Sequence, residues 1–594
     1  MSDSRRFLNY PRPCEHPVVP YKQEAQSIPV FRGYPLVIGA ALIRSIGLVQ
    51  AHFWRNAGFH VIHEIKDLTR YGACYDPTVV PVVSPEHREK NGGTRNVPAA
   101  RDKKNEGGLG YYYTSVDYRE RYLSGELTPR AVTDALLSLV QRDIEPRTDH
   151  STAFLESQVE AIRAAADAST KRYQEGVSLG PLDGVPVAIK DEAHIKGYKR
   201  MLGTNLDFKG GCDETSWCVK KWEEAGAIVI GKTTMHELGL DTNNNNPNYG
   251  TPRNPHNTQY YCGGSSGGSS YAVGAGLVPI ALGVDGGGSI RIPSSFCGVW
   301  GLKTSHGRVS AAPTVGLSSS MGAYGPLAAS IDDLALAYRV MAAPAPAAQD
   351  PISAQFPDPT TESALFSTKN GDATTKTIGI VRSWIDRAEP AVRAVFDATI
   401  DHYRSQPGYT VVDIDIPYLV QGQRAHALTI MAEIASGVTP AQIRRLTPPN
   451  QVLVSMGSMQ VTAQDLIASQ RLRALLMSHL AHLFRTHPGL VIVTPTTPIP
   501  GWKITGGNAD LSHGLSDGAS SIRNMEYVWL ANFTGCPAIS CPAGYSDDGV
   551  PIGVMGMSEW GSEEDLFVFA RDGEALLKKD RHAPERWVDV FAQL

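Results

Sequence analysis

An α/β fold is what this sequence predicts, and three observations predict it. Short apolar or β-branched runs at residues 185–189, 227–230, 377–381, 411–416 and 490–494 have strand length and strand composition. Stretches with helical spacing separate them, the longest at residues 466–483. That alternation runs through most of the 594 residues, which favours one sheet with helices on both faces over an all-helical or all-β design.

In chain order, residues 1–110 form an extension. Its most apolar part, 36–43, is cut by Arg44 and flanked by Arg32 and Arg55, and it is far shorter than the ~20 apolar residues of a membrane span. With Phe31, Tyr34, Ile46, Leu48, Val49, Phe53 and Trp54 around it, this part predicts a helical hairpin. Two placements fit: a cap over a substrate entrance or membrane surface, and a helix packed on its own domain or on a second subunit. Residues 91–108, rich in Gly, Asn, Lys and Arg, read as an exposed loop closing the extension. The main domain takes residues 111–594. Its helix near residue 130 opens on Thr128-Pro129, an N-cap with proline at the first helical position, followed by Ala131, Val132, Ala135, Leu136, Leu139 and Val140 at helical spacing. Residues 343–362, heavy in Pro, Ala and Asp, read as a surface excursion or linker between the two halves of that domain.

Composition narrows the function. The chain is 42% hydrophobic and 19% charged with a net charge of −5, so no global positive field exists to hold a nucleic-acid backbone. Its eight cysteines are scattered rather than packed into a disulfide framework, which points to a reducing compartment. The polar start Met1-Ser2-Asp3-Ser4-Arg5-Arg6 does not lead straight into the apolar core of a secretory signal, so a cytoplasmic location, with peripheral membrane contact through the extension, is expected. His236-Glu237 lacks the second histidine of a zinc-binding helix, and no metal is required.

The densest chemical signal is a pair of glycine-rich serine loops, Gly263-Gly264-Ser265-Ser266-Gly267-Gly268-Ser269 and Asp285-Gly286-Gly287-Gly288-Ser289-Ile290-Arg291. Glycines remove side chains where backbone must approach a substrate, so the amides of Gly286, Gly287, Gly288 and Ser289 suit an oxyanion hole. A serine attacking an amide also needs a base and a proton donor. Lys190 ends the apolar run Val185-Pro186-Val187-Ala188-Ile189, where burial would disfavour its ammonium, and on a strand Asp191 points away from it.

These loops, with Asp183-Gly184-Val185-Pro186-Val187-Ala188-Ile189-Lys190-Asp191 and Cys297-Gly298-Val299-Trp300-Gly301-Leu302-Lys303-Thr304, resemble the amidase-signature enzymes. Gly325-Pro326-Leu327-Ala328, Val493-Thr494-Pro495-Thr496 and Asn532-Phe533-Thr534-Gly535-Cys536-Pro537 extend the resemblance over most of the chain after about residue 120. It implies the amidase-signature fold, a central mixed twisted sheet covered by helices on both faces, here with an N-terminal helical extension. It also implies Ser289 as nucleophile, Ser265 as a bridging serine on a cis peptide, Lys190 as base, and Ser266, Asp285 and Arg291 as supports of the loops. No cofactor enters. Met235-His236-Glu237-Leu238-Gly239 and Asn248-Tyr249-Gly250-Thr251-Pro252-Arg253-Asn254-Pro255-His256 are similar to the fatty acid amide hydrolase branch, especially its plant-type members. That branch implies an apolar N-acyl amide substrate, and a homodimer is expected.

Three rivals remain at this point. Gly226-Ala227-Ile228-Val229-Ile230-Gly231-Lys232-Thr233 satisfies the bare phosphate-loop pattern, although Ala-Ile-Val-Ile inside it reads as a buried strand. A catalytically silent scaffold or membrane-surface protein is the second. The third keeps the chemistry and changes the substrate: a small-amide hydrolase or a glutamine amidotransferase subunit.

Overall fold

The computed structural model describes residues 6–22, 28–82, 112–359, 376–576 and 581–594. The predicted loop at 91–108 lies outside them.

Eleven strands form the central sheet: β1 (Phe154–Glu156), β2 (Pro186–Lys190), β3 (Ile228–Thr233), β4 (Ile280–Asp285), β5 (Trp300–Lys303), β6 (Ala323–Ala328), β7 (Lys376–Ile380), β8 (Tyr409–Asp413), β9 (Leu490–Pro495), β10 (Ala538–Tyr545) and β11 (Pro551–Met557). Across the sheet their order is β8-β7-β9-β11-β10-β5-β6-β4-β2-β3-β1. Pairing is parallel among β8, β7 and β9 and among β4, β2 and β3, and antiparallel at the other junctions. The sheet is therefore mixed, with the α/β architecture expected from the sequence.

All five predicted strands form, as β2, β3, β7, β8 and β9. Of the strands that composition concealed, all but β1 carry glycine or proline, and packing explains the glycines. A Cβ on Gly301 in β5 would lie 2.1 Å from Ser294 Oγ, and one on Gly325 in β6 would lie 2.0 Å from Leu302 O. Close backbone approach, not weak strand preference, put glycine there.

The helices that matter for the site are α1 (Gly33–Ser45), α2 (Gly47–Asn56), α3 (Pro129–Val140), α4 (Gly267–Gly274), α5 (Arg291–Cys297), α6 (Leu419–Ser436), α7 (Pro448–Gln460) and α8 (Ala463–Thr486). The Thr128 side chain accepts from Ala131 N to cap α3, as its sequence predicts. A capping box between Thr462 and Asp465 starts α8.

In the extension, α1 packs against α7, burying Leu36, Ala40 and Ile43, the last two beside Val452. The other side of the hairpin exposes Tyr34, Val37, Ile38, Leu42 and Leu48, Leu48 at 85%. No single helix among the described residues is long and apolar enough to cross a membrane. By length and composition α1 and α2 pass that test only together, and they bend by 106°. The described part of 343–362 is more tightly held than a linker: Ala343, Ala345 and Phe356 are buried, and the Arg308 guanidinium lies 5.3 Å from the Phe356 ring centre.

Candidate active site

Strand β2 is buried along its whole length and delivers Lys190 to the floor of a cavity. Lys190 Nζ donates to Ser265 Oγ at 2.9 Å and to Val284 O at 2.9 Å. Burial pushes the lysine below its ordinary pKa, against the raising effect of the Glu192 carboxylate, whose Oε2 lies 3.2 Å from Nζ.

Ser265 follows a cis peptide bond from Gly264, and the loop around it has no room for side chains. A Cβ on Gly264 would lie 2.7 Å from Asn244 N, and one on Gly268 would lie 2.5 Å from Thr234 O. The loop then opens into α4. Ser266 ties the two serine loops together, since its N–H donates to Ser289 O at 3.1 Å and its hydroxyl to Val284 O at 3.3 Å.

The second loop leaves β4 at Asp285 and enters α5 at Arg291. Asp285 accepts from the amides of Gly288 (2.7 Å), Ile290 (3.1 Å) and Arg291 (3.4 Å) and from the Arg291 side chain at 3.0 Å. Burial alone would raise the Asp285 carboxyl, but the Arg291 guanidinium and these donors hold it well below the usual carboxylate range. Arg291 is itself fully buried, donating also to Val528 O at 2.9 Å and to Asn532 Oδ1.

Gly288 departs from the expected oxyanion hole. The Gly288 amide turns inward to Asp285 Oδ1 and does not face the cavity with its neighbours, because the loop needs an internal donor to complete the shell around that carboxylate. The amides of Gly286, Gly287 and Ser289 have no acceptor among the described residues. These three N–H groups remain available to an acceptor.

The structure thus brings Lys190, Ser265, Ser289, Gly286 and Gly287 to one cavity and places Ser266, Asp285 and Arg291 behind them. Asp191 turns away, as strand alternation predicts, and pairs with Lys232 at 2.9 Å. That contact removes the phosphate-loop rival. Residues 228–233 are strand β3, and Lys232 Nζ is fully engaged by Asp191 and by the carbonyls of Asp191 and Lys199.

Glu192 and His426 are among the cavity residues that the sequence did not announce. Glu192 sits in the turn that follows β2, closed by Ala193 N–H on Lys190 O at 3.1 Å, and that turn carries its carboxylate back to Lys190. His426, on α6, had no sequence signal. Its ring nitrogen Nε2 sits 2.8 Å from Gly286 O.

The cavity measures about 210 Å³. Its wall is mainly apolar, with Phe31 and Phe53 from the extension, Ile430 and Met431 from α6, and Val452 and Met456 from α7, and with Asp241, Thr242, Ser318 and Asp517 among its polar exceptions.

The family model for amidases matches residues 135–567. This chain belongs to the amidase family. As an amidase-signature enzyme it hydrolyses carbon–nitrogen amide bonds through a nucleophilic serine. This amidase is 33% identical over 488 residues to a fatty acid amide hydrolase of Medicago truncatula, covering 81% of this chain and 79% of that one. It is 31% identical over 477 residues to a glutamyl-tRNA(Gln) amidotransferase subunit of Chloroflexus aggregans, covering 75% and 92%. Among solved structures it resembles a chain from a vestigial protein complex related to an s-triazine catabolic enzyme, with TM-score 0.68, 29% identity, and coverage of 80% of this chain and 100% of that chain.

Proposed function

We propose that this amidase hydrolyses N-acyl amides with long apolar acyl groups, such as N-acylethanolamines, using Ser289 as nucleophile, Ser265 as relay and Lys190 as base. One observation carries the reading: the cavity in which Lys190 Nζ meets Ser265 Oγ at 2.9 Å is walled by Phe31, Phe53, Ile430, Met431, Val452 and Met456.

In the proposed sequence neutral Lys190 takes the proton of Ser265 as Ser265 takes that of Ser289, and Ser289 Oγ attacks the amide carbon. The negative charge that forms on the carbonyl oxygen meets the amides of Gly286, Gly287 and Ser289. Returning through Ser265, the proton goes to the amide nitrogen, which leaves as the amine. Water activated by the same relay then releases the carboxylic acid and restores Ser289. Burial of Lys190 favours its neutral form, which is what the first step needs.

The extension supplies Phe31 and Phe53 to the wall, so its described part around these residues serves as an entrance cap on the main domain. The apolar outer side of α1, with Tyr34, Val37, Ile38 and Leu42, suits peripheral contact with a membrane surface or a second copy of the chain. The similarity to the Medicago fatty acid amide hydrolase supports the substrate class. A small-amide or glutamine substrate is the competing reading, favoured by the similarity to the amidotransferase subunit.

The test is kcat/KM on primary amides and N-acylethanolamides from short to long acyl chains, with Ser289→Ala as blank. A rate rising with chain length is expected, since each buried CH₂ contributes about 0.8 kcal/mol. A flat or falling series would move the assignment to small amides, and no turnover of any amide would overturn the reading.

A further inference from the structure

His426 lines the cavity beside the second serine loop, from a helix far away in sequence. A carbonyl oxygen only accepts, so its 2.8 Å contact with Gly286 O requires that His426 Nε2 carry the proton. Burial above all lowers the ring to about 4, and the surrounding charges are Arg473, Arg291 and Asp285, so the imidazole is neutral at ordinary assay pH.

The consequence lies in the peptide that His426 holds. The Gly286–Gly287 bond is not among the cis bonds of the described residues, and in a trans peptide C=O and N–H point to opposite sides. Fixing the Gly286 carbonyl on His426 therefore turns the Gly287 N–H the other way. That N–H is buried and has no acceptor among the described residues. A peptide between two glycines is otherwise free to turn over, and in the flipped form a carbonyl oxygen would face the incoming negative charge. His426 also lies against Gly287 itself, where a Cβ would come within 2.9 Å of the ring.

We propose that His426 is a positioning residue: its Nε2–H, bound to the Gly286 carbonyl, keeps the Gly287 N–H aimed at the oxyanion that forms when Ser289 attacks. This rests on the reading of Ser289 as nucleophile and of its loop as the oxyanion hole. It also gives α6 two tasks. Ile430, four residues on and so on the same helix face, lines the acyl part of the cavity, and the same side of the helix holds the hole in register.

The experiment compares His426→Met, which keeps length and loses the donor, with His426→Gln, which keeps both. For each, kcat, KM, the affinity of a trifluoromethyl ketone bearing the best substrate's acyl chain, and that of the product carboxylate are measured. Removing a direct oxyanion donor costs about 10²–10³ in kcat, so losing its support is expected to cost the Met variant about 10–10² in kcat and in ketone affinity. KM and carboxylate affinity should stay within about 3-fold, because they report ground-state binding. The Gln variant should recover to within about 5-fold of wild type, a rescue a packing role does not predict. If the Met variant fails to melt cooperatively, His426→Leu takes its place, and failure of both to fold while the Gln variant folds would show a hydrogen bond that serves the fold and would overturn the proposal. Wild-type kcat and ketone affinity in the donor-less variant would overturn the proposal alone. Failure of the wild type to prefer ketone over carboxylate, or turnover by Ser289→Ala, would instead overturn the reading beneath it.

Discussion

At one end of the cavity Lys190 stands on strand β2 and Ser265 and Ser289 on loops in which every glycine but Gly286 leaves no space for a Cβ; at the other, Phe31, Phe53, Val452 and Met456 arrive from elements far apart in the chain. The first end is specified by local sequence, because a backbone that must pass within 3 Å of its neighbours admits glycine and little else. The second is specified only by volume and apolarity, which many residues satisfy. Chemistry is therefore fixed tightly at the polar end, while substrate choice is set loosely at the apolar end, and the two should respond to mutation in different ways.

The sharpest break is at the polar end. Ser289→Ala is expected to lower kcat by about 10⁴-fold or more for every acyl chain, as loss of a nucleophile does in other serine hydrolases, with the melting temperature little changed. Single-turnover assays across the chain-length series check this, and a loss confined to long chains would erase the distinction between the two ends.

Behind the serine loop the expected effect is on stability. Arg291→Met leaves the Asp285 carboxylate buried without its guanidinium partner, and breaking such a pair costs about 3–5 kcal/mol. Urea denaturation monitored by tryptophan fluorescence reads that loss directly. A change below 1 kcal/mol would mean that the amides of Gly288, Ile290 and Arg291 are enough to hold Asp285.

The apolar end should separate substrates instead. Met456→Trp narrows the wall away from the serine loops, so kcat/KM is expected to fall about 10–100-fold for long acyl chains and to stay within about 3-fold for short ones, in line with ~0.8 kcal/mol per CH₂ no longer accommodated. Equal losses for both would show that the wall and the chemistry are coupled at this position.

The same contrast explains what the sequence revealed. Lys190, Ser265 and Ser289 were legible because each sits in a run of residues that geometry forces to be unusual, and the strands β2, β3, β7, β8 and β9 because β-branched residues fill their buried or, in β8, half-buried faces. Strands β5, β6 and β11 were not, since Gly301, Gly325 and Gly556 accommodate close neighbours at the expense of strand-like composition. His426 was illegible for another reason: its role depends on α6 crossing the cavity beside Gly286, and nothing within 100 residues of it in sequence announces that contact. The inward turn of the Gly288 amide was hidden likewise, because the run Gly286-Gly287-Gly288 does not say which N–H goes to Asp285.

Glu192 tests the finest part of the polar end. Its carboxylate lies 3.2 Å from Lys190 Nζ with both side chains buried, and the other charges acting on that lysine are Asp285, fixed by Arg291, and Asp191, fixed by Lys232. Burial lowers the lysine's pKa and Glu192 opposes that, so Glu192→Gln removes a raising influence while keeping a side chain of the same shape. The lysine must be neutral to act as base, and a lower pKa makes it neutral at lower pH. The acid limb of log kcat/KM is therefore expected to move down by about 1 pH unit, the low end of what an opposite charge at this distance produces. An unmoved limb would mean that Asp285 and Asp191 suffice to set Lys190, and an upward shift would mean that Glu192, not Lys190, takes the proton from Ser265.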